Sequence, residues 1–127
     1  MCKSLGTDLK TFPVEFISQY VKYNKFYGFT LKGFSLCSLD HEQNCRLVLQ
    51  RDTTTVTVLL ASVKKVAIDL FNYDQVLSDE KASTQKIKCG ETDLQFSNGH
   101  YRFVAEFLDR STMSFVCRVI SAIIEEV

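Results

Sequence analysis

The most constraining feature of the chain is a change of hydrophobic period within the aromatic segment 13–33, PVEFISQYVKYNKFYGFTLKG. Apolar residues first recur at helical spacing, although a run this short is also compatible with a strand. These residues are Phe12, Phe16, Ile17, Tyr20 and Val21. From Tyr27 through Phe29 and Leu31 the spacing becomes strict alternation, the period of a half-buried strand. Gly33 shifts the phase by one position, which is typical of a bulge or tight turn. We therefore predict a short aromatic lead-in that feeds a first hairpin, with Thr11 as the candidate cap of a short helix.

Alternating apolar and polar residues recur along most of the remaining chain. Val56, Val58 and Leu60 form a run rich in β-branched residues, which is typical of a strand. Asn98-Gly99 lies between two alternating runs and predicts a two-residue hairpin, because both positions of that turn take positive φ. Segment 62–77 fits the helical period and the strand period equally well, and its β-branched content favours a strand.

The last part of the chain favours a helix. Asp109 and Ser111 are suitable N-cap residues, and apolar residues follow them at helical spacing. These are Met113, Val116, Cys117, Ile120, Ile123, Ile124 and Val127. The predicted fold is therefore an α+β domain, an antiparallel sheet of six or seven strands closed by a C-terminal amphipathic helix. We expect residues 1–10 to form a flexible tail and residues 11–127 to form a single domain of a longer protein.

Composition and charge exclude several classes of function. The 15 basic and 15 acidic residues cancel, which argues against nucleic acid or an anionic membrane as the partner. No apolar run approaches the ~20 residues that span a bilayer, and the N-terminus lacks the apolar core of a signal peptide. Five scattered cysteines, an odd number, favour reduced thiols. We therefore expect an intracellular protein.

Segment 13–28 resembles the start of the first polo box of polo-like kinases, which reads approximately P-x-x-W-V-S-K-W-V-D-Y-S-x-K-Y-G. Seven residues fall in register without a gap, and Tyr20 occupies the position of a family tryptophan. The seven are Pro13, Ile17, Ser18, Val21, Tyr23, Tyr27 and Gly28. FSLCSLDH, CRLVLQRD and TTTVTVLL are similar to the second, third and fourth strands of that family, so the resemblance covers residues 13–60. The pleckstrin-homology-like superfold, with seven strands and a closing helix, is the alternative.

The resemblance implies a non-catalytic interaction module that acts by docking or dimerisation at centrosomes, centrioles or kinetochores. Its partner would be a protein, a phosphopeptide or a second copy of the chain; a pleckstrin-homology-like adaptor could instead be nuclear. Tyrosines suit half-wet contacts, so the opening segment is the expected interface. The expected partner-binding residues are Tyr20, Tyr23, Tyr27 and Phe29. His41 and Arg46 resemble the family's phosphate-binding D-H-x-K-L-I-L, with extra residues inserted between them.

Two chemical alternatives use the cysteines. Cys37, His41 and Cys45, with Cys89 as a fourth ligand, have the residue types of a tetrahedral zinc site, but their spacing is unusual. A Cys–His dyad with His100 would make a small hydrolase, yet no nucleophile motif or orienting group accompanies it. We therefore expect neither a metal, nor a cofactor, nor catalysis by the domain itself.

Overall fold

The computed structural model describes residues 11–39, 41–69 and 87–126. Within them lie one helix, α1 (Val14–Lys22), and nine strands. The strands are β1 (Thr11–Phe12), β2 (Thr30–Leu39), β3 (Glu42–Arg51), β4 (Thr54–Ala61), β5 (Lys65–Asp69), β6 (Ile87–Ser97), β7 (His100–Phe107), β8 (Thr112–Cys117) and β9 (Val119–Glu126). The predicted tail, residues 1–10, and residues 70–77 of the ambiguous segment lie outside the described residues.

Helix α1 confirms the helical reading of the opening segment. Pro13 precedes it in an extended conformation, with φ −76° and ψ 177°. Glu15 in the first turn and Lys22 in the last have the signs that the helix dipole favours. Ile17 is fully buried, and Phe16 and Tyr20 pack against the same core. The helix therefore contributes one apolar face to the sheet, through contacts with β9 and β6.

All described strand pairs are antiparallel, in the order β1-β9-β4-β3-β2-β6-β7-β8-β5. The sheet nevertheless closes on itself, because β4 continues into β5 and β8 continues into β9. Two backbone hydrogen bonds carry the pairing across this bend. The Lys64 N–H donates to the Val116 carbonyl oxygen at 2.7 Å, and the Arg118 N–H donates to the Ala61 carbonyl oxygen at 3.1 Å. Ser62, with φ 54°, makes the bend in the first of these strands.

The closed sheet surrounds an aromatic core. Phe26 lies at its centre, with its ring centroid 5.9 Å from that of Phe29 and 6.4 Å from that of Phe103. Tyr20 covers Phe26 from α1 at 4.9 Å. All three phenylalanines are at most 2% exposed. The aromatics of the opening segment therefore serve chiefly as core, which links α1 to strands from distant parts of the chain.

The predicted C-terminal helix is wrong: the segment forms β8 and β9. Met113, Phe115 and Cys117 alternate inward along β8, and Ile120 and Ala122 alternate inward along β9. The phase slips by one residue at the junction, and two strands out of phase imitate the helical period. Paired strands satisfy the backbone and bury the β-branched side chains that lower helix propensity. The strand count also exceeds the predicted six or seven.

Several turns follow the sequence prediction, and one segment departs from it. Asn98 and Gly99 have φ of 55° and 77° in the β6–β7 hairpin, as predicted. The register of β2 against β3 shifts between Leu31 and Gly33, which confirms the bulge. Tyr27, however, lies in the turn before β2 rather than in the strand, because the strand begins at Thr30.

Gly90 should be the glycine most sensitive to substitution in the sheet. A Cβ at Gly90 would lie 3.2 Å from the Glu106 carbonyl oxygen, closer than normal packing allows. We expect Gly90→Val to lower the free energy of unfolding by about 2 kcal/mol, because the neighbouring backbone must move. Gly33→Val is the matched control, since a Cβ there has no neighbour within 4 Å. Equal losses in urea unfolding would contradict this account.

Candidate functional site

A polar cleft of about 430 Å³ lies where β2, β3 and β6 meet. Thr30 occupies its centre, because it pairs with Gln50 of β3 on one side and Lys88 of β6 on the other. Lys32 reaches the cleft from the bulge in β2. The described residues that line the cleft are Gly28, Thr30, Lys32, Gln50, Arg51, Asp52 and Lys88. Cross-strand pairing therefore gathers side chains from three separate parts of the chain.

Arg51 is held in place by the turn that precedes β2. Its Nη1 donates to the Tyr27 carbonyl oxygen at 3.0 Å, and its Cζ lies 4.7 Å from the centre of the Phe29 ring. The guanidinium group therefore combines a hydrogen bond with a cation–π contact. Gly28, with φ 83°, shapes this turn, and its N–H donates to the Cys89 carbonyl oxygen at 2.8 Å. An arginine fixed in this way loses little further side-chain freedom when it binds a ligand.

The cleft has a local excess of positive charge. Lys32, Arg51 and Lys88 face one carboxylate, that of Asp52. None of these three cations forms a salt bridge with any residue of the described ranges. The Thr30 hydroxyl and the Gln50 side-chain amide provide further hydrogen-bond donors in the cleft. The arrangement can therefore bind an anion by charge-assisted hydrogen bonds.

The predicted partner-binding aromatics divide into exposed and buried residues. Tyr23 and Tyr27 are 61% and 50% exposed, so both rings are accessible to a partner. Tyr20 is half-buried in a stack with Phe16, at 4.7 Å, and Phe26. Phe29 is 2% exposed and contacts the core and Arg51. The structure therefore leaves two tyrosines on the surface, with Tyr27 adjoining the cleft through its carbonyl group.

The predicted phosphate ligands, His41 and Arg46, lie at different distances from the tip of the β2–β3 hairpin. His41 is exposed beside its tip, with φ 65°, whereas Arg46 pairs with Ser35 and Leu59 within the sheet. Arg46 follows His41 by five positions of extended strand, which corresponds to about 16 Å of backbone. The structure does not bring these two side chains together.

Burial makes the described free thiols poor nucleophiles. Cys45, Cys89 and Cys117 are free and at most 3% exposed. Burial raises the pKa of Cys45 and of Cys89 to about 12, and that of Cys117 to about 11. Cys37 is disulfide-bonded, which corrects the expectation that all five cysteines are reduced. In the described part of the chain no group of three or more His, Cys, Asp or Glu side chains could hold a metal ion.

No motif in the sequence predicts the cleft. Lys32 and Arg51 have no basic neighbour in the sequence, and Lys88 forms only the short basic pair Lys86-x-Lys88, which is typical of a solvated strand face. Arg51 precedes the Asp52-Thr53 turn, and Lys88 alternates with Ile87 and Cys89, so each residue alone reads as an ordinary solvated position. The one available signal was the phase slip at Gly33, which marks where Lys32 leaves the strand alternation.

No protein-family model, curated protein or solved structure matches the chain. The polo-box and pleckstrin-homology-like resemblances therefore stay predictions, and the closing helix that both imply is replaced by β8 and β9. Among the described residues, no helix has the length and hydropathy needed to cross a bilayer.

The buried thiols predict a loss of stability at alkaline pH. Thiols of the unfolded chain ionise near pH 9, whereas Cys45 and Cys89 in the folded chain ionise near pH 12. The stability that these two buried, protonated thiols contribute is complete below pH 9. It falls as the pH rises from 9 towards 12, by ~1.4 kcal/mol per pH unit for each thiol.

Urea unfolding at a series of pH values measures this slope. We expect the free energy of unfolding of a Cys45→Ala, Cys89→Ala variant to fall less steeply than that of the wild type above pH 9. Below pH 8 the two curves should run parallel, which provides the internal control. Parallel curves over the whole range would contradict the assignment.

Proposed function

We propose that the protein is a non-catalytic interaction module that binds a phosphorylated segment of a partner protein. The observation that carries the proposal is the convergence of Lys32, Arg51 and Lys88 in one cleft with a single carboxylate. Such an excess is electrostatically unfavourable in the free protein, and a bound anion would relieve it. The docking role implied by the polo-box resemblance is consistent with this proposal, as is action at centrosomes, centrioles or kinetochores.

Phosphate is the anion that best suits these groups. A phosphate monoester carries a charge of about −1.5 to −2 at pH 7 and three strong acceptor oxygens. Arg51 presents a planar fork for bidentate contact, and Lys32 and Lys88 add two point charges. The Thr30 hydroxyl and the Gln50 amide supply neutral donors. A carboxylate would use fewer of these donors, so we expect phosphorylated segments to bind better than acidic ones.

A peptide is favoured over nucleic acid because the three cations of the cleft form a small patch and not a stripe. Nucleic-acid binding draws most of its affinity from several phosphate contacts along a basic stripe. Here Asp52 interrupts the cations, and the whole chain has no net charge. Tyr27 accepts the Arg51 hydrogen bond through its carbonyl group, and its exposed ring offers an apolar contact for the residues that flank a phosphorylated side chain.

The accessible groups of the cleft support binding rather than catalysis. Its lining contains no thiol and no imidazole, and the free thiols of the described residues are buried with raised pKa values. Asp52 is the one carboxylate among the described lining residues, so these side chains do not supply the paired acid and base of hydrolysis.

Titration with the pentapeptide Ala-Ala-pSer-Ala-Ala and its unphosphorylated twin, monitored by amide chemical shifts, tests the proposal. We expect the phosphorylated peptide alone to bind, with shifts centred on the cleft. The Lys32→Gln, Lys88→Gln variant should bind at least ~10-fold more weakly, the loss expected for ~1.4 kcal/mol. Arg51→Lys should also weaken binding, because lysine cannot keep both the Tyr27 contact and a bidentate anion.

Two control variants make the result specific. Lys22→Gln, Lys25→Gln removes the same charge from α1 and its following turn, and should leave affinity within ~2-fold, because neither side chain lines the cleft and exposed charges are screened. His41→Gln, Arg46→Gln tests the site predicted from the sequence. Equal binding of the two peptides, or an equal loss in the α1 control, would refute the cleft as a phosphate site. A loss confined to the His41, Arg46 variant would move the site to the hairpin.

A further inference from the structure

The outer face of the β6-β7-β8-β5 sheet carries opposite charges at its two ends. The pairing of these strands aligns three rows of outward-facing side chains. The basic row contains Gln95, Arg102, Val116 and Lys65. The central row contains Asp93, Val104, Ser114 and Ala67. The acidic row contains Glu91, Glu106, Thr112 and Asp69. These twelve residues define the outer face, and the charge along its strands changes from positive to negative.

The charges of the outer face are not neutralised within the described part of the molecule. Glu91 and Glu106 are direct cross-strand partners, a like-charge pair that destabilises a sheet. No salt bridge to a described residue is formed by Glu91, Glu106, Arg102 or Lys65. Rows of one face lie ~6.7 Å apart, so the basic and acidic rows are ~13 Å apart and cannot meet within one chain.

We propose that the outer face binds a second copy of the same chain. The two copies would be related by a two-fold axis that lies in the plane of contact. This axis is perpendicular to the strands and passes through the central row, so it exchanges the basic and acidic rows. Arg102 then faces Glu106 of the second copy, and Lys65 faces its Asp69. Symmetry makes each pair twice, as a self-complementary interface requires. This inference is independent of the phosphate site, which shares strand β6 with the outer face but none of its residues.

The central row permits close contact between the two sheets. Ala67 and Ser114 are small and Val104 is half-buried, so the sheets can approach to the ~10 Å spacing of packed sheets. Asp93 would face its own copy at the margin, where it remains solvated and accepts a hydrogen bond from Gln95 at 3.0 Å. The axis therefore places unlike charges together in the middle of the face and leaves the one like pair at the edge.

The size of the outer face predicts a weak dimer. Four strands ~4.8 Å apart and three rows ~6.7 Å apart cover about 400 Å² per copy. A standard stable interface buries ~800 Å² per partner, so this contact belongs to the transient class. We expect dimerisation at high micromolar concentrations, strengthened at low ionic strength because its charges lie near the surface.

Sedimentation equilibrium of the full chain between 10 μM and 1 mM tests the proposal. We expect the mean mass of the wild type to rise towards that of a dimer in 25 mM NaCl and to fall back in 500 mM NaCl. Two double variants should remain monomeric. One is Lys65→Glu, Arg102→Glu, and the other is Glu91→Lys, Glu106→Lys. An equimolar mixture of these two variants should associate at least as tightly as the wild type, because their outer faces now carry net charges of opposite sign.

Lys22→Glu, Lys25→Glu serves as the matched control, since it reverses two charges away from the outer face and should dimerise like the wild type. Circular dichroism confirms that each variant is folded. A wild type that stays monomeric up to 1 mM in 25 mM NaCl would overturn the proposal. So would a dimer that neither salt nor charge reversal affects, or a variant mixture that fails to associate.

Discussion

The backbone pairing that passes through the bend at Ser62 and Arg118 is the interaction on which the rest of the structure depends. Because the β4–β9 pair continues into the β5–β8 pair, both ends of the sheet belong to one bent ladder. This closure brings β7 and β6 round to β2 and encloses the aromatic core. Without it the hairpins would form an open sheet with one wet apolar face, and Phe26 would have no opposite wall.

The cleft depends on the same core through Phe29. One face of that buried ring contacts Phe26, at 5.9 Å between centroids, and the ring also supports the Arg51 guanidinium at 4.7 Å. Packing of the opening turn therefore fixes the position of the cation most suited to bidentate binding. Phe29 therefore supports the cleft from the core, whereas the interface role expected of the exposed Tyr23 and Tyr27 stays a prediction.

Local signals in the sequence predicted local structure well. Helix α1, the bulge at Gly33 and the Asn98-Gly99 hairpin each depend on a few consecutive residues, and the structure has all three. The prediction of a C-terminal helix was wrong because hydrophobic spacing alone does not reveal a bend between two strands. A phase slip at Arg118 between two strands generated apolar residues three and four positions apart. Only the pairing partner, more than 50 residues earlier in β4, distinguishes this pattern from a helix.

The candidate site was beyond sequence reasoning for a related reason. Lys32, Arg51 and Lys88 become neighbours through the register of β2 with β3 and β6, which no single stretch encodes. Net charge was equally uninformative, because a sum of zero is compatible with a cationic cleft, an acidic row and a basic row on one surface. The charges cancel over the whole chain but not within each patch. The cleft, the basic row and the acidic row therefore each keep an uncompensated charge. Binding of a phosphate by the cleft and of a second copy by the outer face, as proposed above, would compensate these charges in two separate ways.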